Sequence, residues 1–178
     1  GVDWVGSGQQ IADCQNREYT PTDPTGTGGY GGAAGFSSFL KTQVLPEAEQ
    51  HLATPPGFRL VVASGPAALW ALTDLLGDHP TFDRYLLVAP AVEWDQKWLL
   101  QLEALRAARG GSLAARVLLY YGDRDVATTR GAALERFATR LAARGYAGLT
   151  WQTVKLAGRG FAEAKLLGYH KGFRRLAP

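Results

Sequence analysis

The distribution of apolar positions changes character near residue 57. Beyond it, short continuous apolar runs alternate with longer stretches of helical periodicity. Leu60 to Ala63 leads through a two-residue corner, Ser64 and Gly65, into a helix that opens on Pro66 and stays apolar through Leu76. Tyr85 to Val88 ends at Ala89-Pro90 and is followed by a helix from about Asp95 to Ala108. Arg116 to Tyr121 ends in Gly122 to Asp125, with a helix from about Thr128 to Arg144, and Leu149 to Leu156 precedes a last helix over about 162–176. Strands apolar on both faces, each followed by a helix, are the pattern of a parallel sheet covered on both sides. The predicted fold class is α/β, a three-layer sandwich with a mainly parallel sheet.

Ahead of residue 57, Phe36, Phe39, Leu40, Val44 and Leu45 share one helical face, and Pro46 should kink that helix or restart it. Residues 1–35 are rich in Gly, Thr, Asp and Pro and predict a loop segment. Its glycine cluster, Gly26 to Gly32, is followed by no GK[ST] and is entered from no strand, so it does not read as a phosphate loop.

Composition narrows the picture further. A chain of 178 residues predicts a single domain, and 46% apolar with 20% charged residues is an ordinary globular balance. No apolar run is long enough to span a membrane. The net charge of +3 comes from scattered arginines without a basic stripe, so no nucleic-acid partner is expected. The one cysteine, Cys14, allows no internal disulfide and no zinc framework. The three histidines, His51, His79 and His170, have no metal-ligand spacing, and the pair Asp123 and Asp125 is too little for a cation site, so neither metal nor cofactor is expected. Compartment is not legible.

In an open α/β sheet, chemistry collects beyond the carboxyl ends of the strands. Here those ends are Ser64-Gly65, Ala89-Pro90, Gly122 to Asp125, and the segment from Gly158 to Glu163. Strand, sharp corner and buried helix over Arg59–Leu72 form the frame of a nucleophile elbow. Arg17 to Thr22 (R-E-Y-T-P-T), Gly31 to Leu40 (G-G-A-A-G-F-S-S-F-L), the elbow, Ala89 to Asp95 (A-P-A-V-E-W-D), Gly122 to Asp125 (G-D-R-D) and Gly172 to Leu176 (G-F-R-R-L) follow one another in order. In that order and spacing the chain resembles the α/β-hydrolase superfamily, most closely the esterases similar to enterochelin (siderophore) esterases and the esterase-D-like hydrolases. The resemblance runs through most of residues 17–176.

What the resemblance implies about the site is mainly loss. The nucleophilic serine's place falls on Gly65, the catalytic histidine's on Phe161, and the flanking glycines become Ala63, Ala67 and Ala68. Asp125 stands where the triad acid belongs. A triad needs a base to take the nucleophile's proton and an acid to orient the base, so Asp125 has nothing to orient. The expectation is a pseudo-esterase with a binding or scaffolding role. The alternative is an active carboxylesterase or acyl hydrolase working through Ser64, or through residues outside this stretch. Ser64 also reads as an N-cap for the helix at Pro66, and Trp94 is a candidate contact for a small-molecule ester or its analogue. The family draws several strands from sequence ahead of its R-x-x-T-P-T stretch, and 16 residues precede Arg17 here. Either the chain is the remnant of a longer protein, or its sheet is reduced, with an exposed edge open to a protein partner or a second copy.

Overall fold

The computed structural model describes residues 7–126 and 128–176, without the side chains of 96 and 97. The chain forms two compact units, Gly1–Pro56 and Gly57–Pro178.

The first unit is helical. Helix α1 (Gly8–Tyr19) occupies part of the stretch expected to be loop. Its start is a capping box: Ser7 Oγ accepts from Gln10 N at 3.4 Å, and Gln10 Oε1 accepts from Ser7 N at 2.7 Å. Gln9 also donates to Asp13 one turn on, at 2.7 Å. None of its residues is buried, so averaged polarity hid a helix that local hydrogen bonds define. The following loop closes on itself. The Asp23 carboxylate accepts from the backbone of Thr25 (3.0 Å), Gly26 (3.1 Å) and Gly28 (2.6 Å). With the Thr25 hydroxyl as the largest influence, these bonds hold Asp23 below the usual carboxylate range. Amides that could cradle a phosphate are thus committed to Asp23. Helix α2 (Ala33–Phe39) passes through a π turn at Leu40–Val44 into α3 (Leu45–Glu49). Pro46 causes the interruption, because it donates no N–H to the preceding turn and its ring crowds that turn's carbonyl.

The second unit is a four-stranded sheet, β1 (Leu60–Ser64), β2 (Arg84–Val88), β3 (Ala115–Gly122) and β4 (Leu149–Leu156), parallel throughout and ordered β1-β2-β3-β4. Helices α4 (Gly65–Leu76), α5 (Trp98–Arg109), α6 (Thr129–Arg144) and α7 (Phe161–Leu176) alternate with the strands. Strand register and side-chain contacts separate the two faces. Tyr85 donates to Asp74 of α4 at 2.8 Å, and Trp151 meets Phe137 of α6 edge to face at 6.3 Å, so α4 and α6 cover one side. On the other side lie Leu86, Val88 and Tyr120, against which α7 packs through two glycines. A Cβ at Gly168 would lie 2.9 Å from Val88 Cγ2, and one at Gly172 2.2 Å from Leu86 Cδ1. These glycines let the helix backbone approach the sheet. The three-layer α/β architecture is the expected one.

The middle strands are buried almost throughout, whereas the outer strands differ from each other. β4 exposes Thr150, Gln152, Thr153 and Lys155, which suits a sheet edge. β1 is apolar on both faces but only partly covered, with Val62 39% exposed.

Two buried carboxylates fasten the layers. Asp74 receives Thr81 N (2.9 Å), Thr81 Oγ1 (2.5 Å) and Tyr85 Oη, tying the end of α4 to the start of β2. Burial first, then Asp74, pushes the Tyr85 phenol far up. Glu103 of α5, with a fully buried side chain, is met by Arg140 (2.5 Å) and Arg144 (2.7 Å) of α6 and by Tyr146 Oη (3.1 Å). Burial raises the Glu103 carboxyl, and the bonds from Arg144 and Tyr146 with the charge of Arg140 outweigh it, leaving the carboxyl below its usual range.

Candidate active-site remnant

The carboxyl ends of β1, β3 and β4 converge on one region. β1 leaves Ser64 extended (φ −139°, ψ 155°), and the next residue, Gly65, takes φ +56° as α4 begins. That is the sharp, left-handed corner of an elbow. Most side chains adopt it only at a cost, and glycine adopts it freely. Pro66 follows within the first helical turn. Ser64 stands at the N-cap position without capping, contrary to the sequence expectation. Tyr169 of α7 lies near its hydroxyl, and that phenol is raised by burial although Ser64 acts to lower it. A phenol pushed above its ordinary value of about 10 stays protonated at neutral pH, so it supplies no base for Ser64.

Phe161, the first residue of α7, lies directly at the corner. A Cβ built on Gly65 would meet Phe161 Cζ at 3.6 Å and Cε2 at 3.9 Å. Such contacts are ordinary van der Waals ones, so the half-buried ring borders the space a side chain at 65 would enter.

The turn at the end of β3 completes the arrangement. Asp123–Asp125 forms a 3-10 turn that is held by the segment leading to α7. Arg124 N donates to Arg159 O at 3.1 Å, and Asp123 Oδ1 accepts from Arg159 N at 3.3 Å. The backbones approach so closely that a Cβ at Gly122 would fall 2.1 Å from Arg159 O. Backbone bonds, that of Gly158 foremost, hold Asp123 below the usual range. Asp125 Oδ1 lies 3.9 Å from where a Cβ on Gly160 would be, and Asp125 Oδ2 is buried with no hydrogen-bond partner among the described residues. Gly65, Phe161, Gly160 and Asp125 thus follow one another in space. A carboxylate oxygen without a donor is costly inside a protein.

The remaining candidates lie around or outside this region. Trp94 belongs to the 3-10 turn Trp94–Lys97 after β2, and its neighbour Glu93 binds Arg130 of α6 at 2.6 Å. Ala89, between that turn and β2, holds a left-handed φ of +41° while buried, and its N–H donates to Tyr120 O at 2.8 Å. His51, His79 and His170 are exposed, and His51 pairs locally with Glu47 at 3.3 Å. Among the described residues, no three metal-ligating side chains gather, and no helix is long and apolar enough to cross a membrane. Sequence reasoning missed Tyr169 as the neighbour of Ser64, Gly122 as the close-approach point and the strained Ala89. Tyr169 had one available signal: at eight residues past Phe161 it lies on nearly the same face of α7.

A four-stranded parallel sheet covered by helices on both faces, with a left-handed corner between its first strand and helix, is the α/β-hydrolase fold. Solved structures share this fold. An IroE-like serine hydrolase from Shewanella oneidensis superposes with a TM-score of 0.79 at 21% identity, over 91% of this chain and 56% of its own. The BES protein from Bacillus cereus gives 0.78 at 19%, over 92% of this chain and 63% of its own. The siderophore hydrolase EstA from Aspergillus nidulans gives 0.79 at 18%, over 98% of this chain and 70% of its own. The chain therefore spans less than two thirds of the length of the first two. No protein-family model and no curated protein matches it in sequence.

Proposed function

We propose that this chain is an esterase-derived α/β-hydrolase that no longer hydrolyses esters and acts in binding or scaffolding. The observation that carries the reading is the buried Oδ2 of Asp125, which has no hydrogen-bond partner among the described residues, beside a segment that presents a phenyl ring where a base would be needed. In a working triad that oxygen would receive the imidazole N–H. Gly65 supports the same reading, since it keeps the corner while removing both the nucleophile and the strain of holding it. The neighbours named as siderophore hydrolases support descent from an enzyme acting on small esters, and make an ester or its analogue the class of small molecule to try as ligand. A protein partner would dock along β1, an outer strand that is apolar on both faces.

The test is hydrolysis of p-nitrophenyl acetate and butyrate by the purified chain, measured beside its Ser64→Ala variant. The expected result is a rate equal to buffer for both. A rate above buffer that Ser64→Ala abolishes would overturn the proposal.

A further inference from the structure

At the opposite ends of the strands, on the face covered by α7, positive charge accumulates. Arg84 and Arg116 are register partners on β2 and β3, so two arginines stand side by side. Like charges so placed repel each other. A third, Arg175 in the last turn of α7, donates to Gln152 Oε1 at 2.8 Å and approaches Tyr120 Oη at 3.5 Å. Several other arginines of this unit find carboxylates: Arg109 binds Asp78, Arg130 binds Glu93, and Arg140 and Arg144 share Glu103. Among the described residues, no carboxylate pairs with Arg84, Arg116 or Arg175.

Arg84 has a structural role. Its guanidinium lies 3.4 Å from the centroid of the Phe58 ring and donates to the Leu176 carbonyl at the end of α7. Arg116 has none: no hydrogen bond or ion pair engages its side chain among the described residues. It lines a cleft of about 270 Å³ with Thr150, Gln152 and Arg175, over Leu118 and Leu176. Among the described residues that line it there is no carboxylate.

We infer that the cleft is an oxyanion site suited to a phosphate dianion, free or as the monoester of a small molecule. A dianion neutralises Arg116 and Arg175 together and relieves the cross-strand repulsion. Guanidinium forks match phosphate oxygens bidentately, and the Thr150 hydroxyl and Gln152 amide add neutral donors. The cleft exceeds a bare phosphate, and its apolar wall leaves room for the body of a monoester. The inference is independent of the lost triad, which lies at the other ends of the strands.

Isothermal titration calorimetry with inorganic phosphate and with glycerol 3-phosphate, at matched ionic strength in chloride, tests it. Saturable one-to-one binding is expected, weakened about tenfold or more by Arg116→Gln and unchanged by Arg136→Gln on α6. Glycerol 3-phosphate binding more tightly than phosphate assigns a monoester, and equal affinities assign the free ion. In chloride Arg116→Gln should melt no lower than the parent, because it removes a repulsion; Arg175→Gln serves as a second variant. Absence of saturable heat at millimolar ligand, or affinity indifferent to both substitutions, overturns the inference.

Discussion

If the proposed reading holds, placing a serine at 65 and a histidine at 161 should give the corner hydrolytic chemistry. The perturbation is the double substitution Gly65→Ser with Phe161→His. At 65 a Cβ meets only the Phe161 ring, at 3.6 Å, so the cost there is backbone strain at φ +56° and not a clash. Such strain is about 1–3 kcal/mol. At 161, exchanging a half-buried phenyl for an imidazole gives up roughly 1 kcal/mol of apolar burial. A hydrogen bond to Asp125 Oδ2, which has no partner among the described residues, returns about 1.5–3 kcal/mol. The net cost of the pair is therefore about −1 to 2.5 kcal/mol, within the roughly 5–15 kcal/mol stability of an ordinary domain. The introduced imidazole should titrate above its unfolded value. Its stabilising bond is then fully present below about pH 6.5 and is lost as pH rises through the folded value. A positioned general base contributes about 10²–10⁴-fold. The assay is p-nitrophenyl acetate hydrolysis with thermal melts as a folding control. The double variant should exceed Gly65→Ser alone by about a hundredfold or more. A folded double variant no faster than either single would refute the reasoning that Asp125, Phe161 and Gly65 retain triad geometry.

Other substitutions probe the same account. Asp125→Ala removes an unsatisfied buried oxygen, so its melting temperature should equal or exceed the parent's; a loss of more than about 1 kcal/mol would mean that a partner exists. Glu103→Gln should cost about 2–3 kcal/mol by denaturant titration, below the usual range for broken buried pairs because Arg140 and Arg144 keep partial access to water. Because the Glu103 carboxyl is held below its usual range, its contribution is present above about pH 4.3 and is lost as pH falls toward the folded value. The parent should therefore lose stability below that pH more steeply than Glu103→Gln. Gly172→Ala should cost about 1–3 kcal/mol, since its Cβ would lie 2.2 Å from Leu86 Cδ1 and force α7 off the sheet.

The alternation from residue 57 onward was legible because each strand is a short apolar run and each helix ends at Gly or Pro. Expected and observed bounds there differ by only a few residues. Gly65 and Phe161 could be placed together because motif order carries spatial information once the fold is known. α1 was not legible, because its cap is a two-residue device within a stretch whose average is that of a loop. The π turn before Pro46 was half legible: the proline announces a break but not its form. The nearness of Tyr169 to Ser64 and the environment of the Asp125 carboxylate depend on packing between α7 and the sheet ends, which no local pattern encodes.

Covalent labelling tests the central claim most directly. The purified chain would be incubated with a fluorophosphonate probe and its intact mass recorded beside that of Ser64→Ala. The account predicts an unchanged mass for both, because Gly65 offers no nucleophile and Ser64 faces a protonated phenol. A single adduct on the parent that is absent from Ser64→Ala would contradict it.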